Sequence, residues 1–238
     1  MTRGNRLPRI ALLTVMAVLA VGLPADAFPP YRSTDADTAD PYAFEARLGL
    51  LRLRRERGDD VYSSPLLRLN FGLPHRVELI SELEYRPGNE GVADAALGFK
   101  WVPLKKRLSF GAETLFLLPV SSAGGTGLEV NLLTTYRDDQ SGFRLHLNGG
   151  GFYDARPAPN AKGWRASVLA ELERGRFRPG LELFARRIGS APVEVLFGPG
   201  VIVSVGRADV RLGLHFGLTA AASDVVADVW VASTLRVR

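Results

Sequence analysis

The sequence predicts an all-β chain: a transmembrane antiparallel up-and-down β-barrel of about 12 strands, following a cleaved signal peptide. Three observations predict it. The first residues have the parts of an export signal. Most of the remaining chain alternates apolar and polar residues over segments of about ten. The connections between segments are short and longer by turns, as in bacterial barrels.

Residues 1–27 read MTRGNRLPRIALLTVMAVLAVGLPADA. Arg3, Arg6 and Arg9 form a basic start, 10–23 an apolar run, and Ala25, Asp26 and Ala27 a small-x-small cleavage site. The apolar run falls short of the roughly 20 residues that a spanning helix needs. Cleavage before Phe28 is therefore expected. The chain has no cysteine, which excludes a lipid anchor on a cleavage-site Cys, a disulfide framework and thiolate metal sites. The net charge is +5, of which the signal would carry off +2 through three Arg and one Asp. The remaining excess is small and its Lys and Arg are spread along the segments, so no nucleic-acid partner is expected. No later stretch approaches 18 consecutive apolar residues, so no membrane-spanning helix follows.

A polar, proline-bearing leader, FPPYRSTDADTADP (28–41), precedes the barrel proper at 42–238. It is expected to be periplasmic and to tuck into that mouth of the barrel. The barrel segments then run in order: 42–53, 64–73, 76–86, 94–102, 107–118, 128–137, 143–153, 164–174, 177–187, 193–206, 209–218 and 225–238. None holds a 3.6-residue period over helical length, and several of the 25 glycines sit inside them, where they would spoil a helix.

The period of two is plainest in RVELISELEY (76–85). Val77, Leu79, Leu83 and Tyr85 take one face, and Glu78, Glu82 and Glu84 the other. PLLRLNFGL opposes Leu67, Leu69, Phe71 and Leu73 to Arg68 and Asn70. DAALGFKWV opposes Ala95, Leu97, Phe99 and Trp101 to Asp94 and Lys100. The segments from 128, 143, 164 and 209 repeat the pattern, and those from 42 and 193 are less clean.

Tight connections are expected at 74–75, 103–106, 138–142, 174–176 and 206–208. Longer ones are expected at 54–62, 87–93, 119–127, 154–163, 188–192 and 219–224. With an even strand number both chain ends would lie at the short-turn, periplasmic rim.

The apolar face could pack inward in a soluble barrel or outward against lipid. Aromatic residues near the segment ends decide for lipid: Tyr42, Tyr62, Tyr85, Trp101, Phe116, Tyr136, Phe143, Tyr153, Trp164 and Phe177. Interfacial girdles have that placement. The polar face then lines the lumen. The expected lumen residues are Arg68, Asn70, Glu78, Glu82, Glu84, Lys100, Glu113, Glu129, Arg144, His146, Arg165, Glu171, Arg178, Glu182, Arg211, His215 and Asp228, with Arg186 and Arg236 beside them. Acids out of bulk water need partners. Arg68, Asn70 and Lys100 are the candidates nearest the three glutamates. The mixed signs argue for a salt-bridge lattice rather than strong charge selection, and inward glycines would leave room for long charged neighbours.

SSPLLRLNFGLPHRVELISELEY (63–85), followed by GVADAALGFKW (91–101), resembles the outer-membrane transporter family named for the MetA pathway of phenol degradation. The turn here reads GLPHRVEL, and Asp94, Gly98 and Lys100 stand at matching points of the later strand. The resemblance covers 40–238. It implies a barrel of about 12 strands and passage of small, often apolar or aromatic, molecules. It brings no catalytic residues. Outer-membrane barrels commonly end in an aromatic residue that the assembly machinery reads. This chain ends VWVASTLRVR, where Trp230 and Val237 are the candidates for that role.

No catalytic, cofactor or metal site is expected. The three histidines are His75, in a turn, and His146 and His215, on the polar face. No His-x-x-x-His spacing and no Gly-x-Ser-x-Gly motif occur, which speaks against a lipid-modifying barrel enzyme. The expected function is a monomeric outer-membrane channel for passive passage of small solutes. Its partners are membrane lipid, the solute in the lumen and the barrel assembly machinery. The alternative is a structural or adhesion barrel with a plugged lumen.

Overall fold

The computed structural model describes residues 30–56, 59–87, 91–120, 124–157 and 159–236. The expected signal peptide and Val237 lie outside the described residues. Among those residues no helix is long and apolar enough to cross a membrane. The chain crosses with strands.

The strands are β1 (Ala43–Glu56), β2 (Asp59–Ser63), β3 (Leu66–Leu73), β4 (Val77–Arg86), β5 (Gly91–Leu104), β6 (Leu108–Leu117), β7 (Gly127–Asp138), β8 (Phe143–Asp154), β9 (Ala161–Leu172), β10 (Phe177–Ile188), β11 (Glu194–Val205), β12 (Ala208–Gly217) and β13 (Val225–Arg236). From β3 to β13 each pairs antiparallel with its sequence neighbour, and β13 pairs with β1 to close the sheet. β2 and β3 both pair with β1, end to end, so they form one wall strand interrupted at Ser64–Pro65, a cis peptide. Tyr85 bridges the interruption, accepting from the Ser64 amide and donating to the Pro65 carbonyl. The wall therefore has 12 staves. Closure leaves no edge, the condition for a sheet in lipid, where an unpaired backbone group costs several kcal/mol.

One predicted loop is corrected. Residues 54–62 were expected to form a long connection, but β1 runs on to Glu56 and β2 starts at Asp59, with those two residues in register. The prolonged ladder carries an ion pair across it, Arg55 with Asp60 at 2.8 Å. Charged positions beyond the apolar band are compatible with a strand as well as with a loop. The connection expected at 87–93 is also shorter, because β5 begins at Gly91. At the remaining connections short turns and longer loops alternate as expected, and the rims are called the short-turn and long-loop rims below.

The alternation sorts outward from inward. Leu79, Leu83, Leu97, Phe99, Phe110 and Leu132 are exposed, Leu132 to 67 %. An apolar surface that encircles a chain belongs against lipid, and the fold is a transmembrane barrel. Tyr42, Tyr62, Tyr85, Trp101, Phe116, Phe143, Tyr153, Trp164 and Phe177 are exposed near strand ends. Tyr136 is half-buried and lies under the Arg107 guanidinium, 5.1 Å from its ring centre. Trp230, a candidate for the ending that the assembly machinery reads, turns inward and is 4 % exposed.

Two strands blurred the pattern for identifiable reasons. β1 carries a bulge between Gly49 and Leu51. One extra residue flips the side chains that follow to the other face. Glu45 and Arg47 point inward from odd positions before it, and Arg52 and Arg54 from even positions after it. In β11 both faces are apolar or glycine: Leu196, Gly198 and Ile202 are buried, while Phe197, Pro199 and Val205 are exposed.

Candidate functional site: the filled lumen

The polar stripe of each strand meets those of its neighbours inside the barrel. Charge removed from water must be neutralised locally, and the inward residues do this in a lattice. Arg68 of β3 reaches Glu113 of β6 at 2.7 Å, pairs with Glu82 of β4 and donates to Asn70 at 3.2 Å. Lys100 of β5 lies 3.7 Å from Glu78 of β4. Glu84 pairs instead with Arg52 of β1, at 2.8 Å, and accepts from Ser63. Arg52 also holds Asp228 of β13 at 2.7 Å. Arg165 of β9 pairs with Glu129 of β7, and Asn131 links the two. Around the wall, Glu171 of β9 meets the His146 ring of β8 at 3.0 Å and Arg178 of β10 at 3.8 Å. Arg211 of β12, with no exposed surface, faces Asp209 at 3.3 Å and Glu45 at 3.8 Å, and Glu45 is held by Arg47. Arg144 sits nearer the short-turn rim, against Glu173.

The lumen holds more than its own wall. Residues 30–41 form no strand, and instead of stopping at the mouth they cross the interior. Glu182 of β10 is the main anchor. It accepts from the Arg32 amide at 2.8 Å, the Ser33 amide at 2.6 Å and the Ser33 hydroxyl at 2.5 Å, while His215 of β12 approaches its other side at 2.8 Å. Asn148 of β8 clamps the backbone of Thr34 through both its amide O and its amide N. Thr135 of β7 accepts from the Ala36 amide and contacts His146. Lys100 donates to the Asp37 carbonyl at 3.1 Å and faces Asp35, Arg137 and Lys105 pair with Asp37, and Glu78 accepts from the Ala39 amide at 2.6 Å.

Several inward glycines make room for this segment rather than for long charged neighbours. A Cβ on Gly180 or Gly200 would stand 2.5 Å from the Tyr31 ring or hydroxyl, and one on Gly213 would stand 2.6 Å from Pro30. Inward apolar residues complete the seat. Tyr31 packs with Leu169 and Ile202, and Ala36 with Val102 and Leu133. Sequence reasoning assigned no inward role to Glu45, Arg47, Arg52, Arg54, Leu169 or Ile202. For β1 the signal was the broken alternation itself.

Toward the long-loop rim the lumen is not filled. A cavity of about 330 Å³ lies above Tyr31, Arg32 and Thr34. Arg52, Arg54, Arg186 and Glu84 line it with Phe152, Phe184 and Trp230. Arg156, on the loop after β8, pairs there with Asp94 and Asp154. Burial works against its charge, but the hydrogen bonds it donates to those two carboxylates outweigh burial and hold its guanidinium above the ordinary range.

No family model and no curated protein matches the chain. Among solved structures it is similar to an outer-membrane channel from Pseudomonas putida F1, at a TM-score of 0.61 and 11 % identity, over 88 % of this chain and 100 % of that one. A porin matches at a TM-score of 0.44 and 8 % identity, over 81 % of this chain and 99 % of that one. The first likeness is one of fold, running nearly the full length of both chains.

Proposed function

We propose that this protein is a monomeric outer-membrane channel through which small solutes pass by diffusion, with the leader 30–41 as its internal closure. The observation that carries the proposal is the lumen. It is polar, it keeps a cavity at the long-loop rim, and side-chain hydrogen bonds, not a strand ladder, hold the segment that fills the rest. A closure held this way can detach without opening the wall. Moving the whole leader breaks all of its contacts together, whereas moving 30–34 alone breaks those to Glu182, Ser167 and Asn148. The shared fold with a channel supports this reading, as does the resemblance of 63–85 and 91–101 to the transporter family named for the MetA pathway. That family's small apolar or aromatic molecules are the proposed solutes. The inward polar side chains form the path, the outer membrane is the proposed location, and the barrel assembly machinery delivers the chain there.

The crossing leader also favours a second reading, a plugged structural barrel with no transport. Liposomes carrying the refolded chain from residue 28 separate the two. Faster entry of a small sugar or of benzyl alcohol than into protein-free liposomes supports the channel. Identical rates for both solutes, with the barrel folded, leave the plugged barrel.

A further inference from the structure

The cavity at the long-loop rim has an uneven charge balance. Seven arginines line it, and five are neutralised: Arg52 by Glu84 and Asp228, Arg68 by Glu82 and Glu113, Arg156 by Asp94 and Asp154, Arg165 by Glu129, and Arg186 by Glu194 at 2.6 Å. All six carboxylates of the lining are used in these pairs. Arg32 and Arg54 are left over. The Arg32 guanidinium lies over the Phe184 ring, 5.8 Å from its centre, and its Nε is buried without an acceptor. Arg54 makes no ion pair with any described residue. Two cations at one cavity, with no ion pair to either and with Asp228 and Glu84, the nearest acids, already held by Arg52, raise each other's energy, and an anion between them relieves both. Apart from Thr34, the rest of the lining is apolar and aromatic, with Phe152, Phe184 and Trp230. A volume near 330 Å³ is at the small end of ligand sites, about right for a one-ring molecule.

We propose that this cavity binds a small organic carboxylate with an apolar or aromatic body, Arg32 and Arg54 taking the carboxylate and the three aromatic side chains the body. The leader thereby supplies half of the site, so solute capture and closure share a residue. The inference rests on the channel reading for its biological use, although binding is measured apart from passage.

The test is calorimetry on the refolded chain from residue 28 in detergent micelles. The probes are benzoate, benzyl alcohol, acetate and inorganic phosphate. The variant is Arg54→Gln, which breaks no ion pair among the described residues and so leaves the lattice intact, with Arg32→Gln as a second. Saturable benzoate binding, weakened about 10- to 100-fold in either variant, as expected when one charged hydrogen-bonding arm is lost, supports the site. Benzyl alcohol, acetate and phosphate should each bind at least about tenfold more weakly than benzoate. The proposal is overturned if benzoate does not bind, if both variants bind it as the parent does, or if any other probe matches it. Benzoate binding without liposome passage would keep the site and defeat the channel. Passage without benzoate binding would do the reverse.

Discussion

Arg68 shows how the lattice works at the scale of one residue. Its guanidinium serves Glu82 and Glu113, and Glu113 is 1 % exposed. An ion pair of this kind adds little over an apolar pair of the same volume, but losing one partner strands the other. Arg68→Met should therefore lower stability by about 3–5 kcal/mol, read as an earlier urea midpoint of the refolded barrel. Adding Glu82→Leu and Glu113→Leu should recover most of the loss. A single variant with the parent's midpoint would mean that water reaches these acids and no lattice holds them. Arg68, Glu82, Glu113 and Lys100 were legible from alternation alone, because their strands keep an unbroken register there. Their partners were less so. Glu84 goes to Arg52 rather than to a cation on β3 or β5, because the β1 bulge turns Arg52 inward.

At the scale of the element, the leader departs furthest from its sequence expectation. STDADTAD has no period and no apolar run, so it reads as a linker. Its place is fixed by partners some 100 to 150 residues away, Thr135, Asn148 and Glu182, and no local pattern encodes that. The complementary signal was in the wall. β11 lacks alternation because its inward face, with Gly200 and Ile202, is shaped to Tyr31. Gly200→Val tests this seat. The added side chain collides with the Tyr31 ring, and the leader should lift from β10 and β11. Trypsin, which cuts after Arg, then reaches the bond after Arg32. Mass spectrometry should find the cut in Gly200→Val and not in the parent. Equal resistance in both would mean that the ring can shift aside and the leader stays. The β1–β2 ribbon teaches the opposite lesson. Charges marked 54–62 as lying beyond the apolar band, but they could not separate a loop from a prolonged hairpin.

At the scale of the whole molecule, an apolar exterior, a lattice of paired charges and an internal segment make one closed body that keeps a cavity toward the long-loop rim. The stave number and the face toward lipid could be read from the sequence because both follow from periods and turn lengths. The filling of the lumen could not, since it depends on contacts across the barrel. The central claim is that the leader is the closure. Ser33 and Ser167 meet through their hydroxyls at 2.8 Å, and the chain has no cysteine of its own, so Ser33→Cys/Ser167→Cys places a single reversible tether between leader and wall. The deciding measurement is single-channel conductance of this variant in a planar bilayer, before and after reduction. The account predicts few or no openings while the tether is oxidised and discrete openings once it is reduced, in the same membrane. Equal conductance in the two states, with the tether shown to be formed, would contradict it.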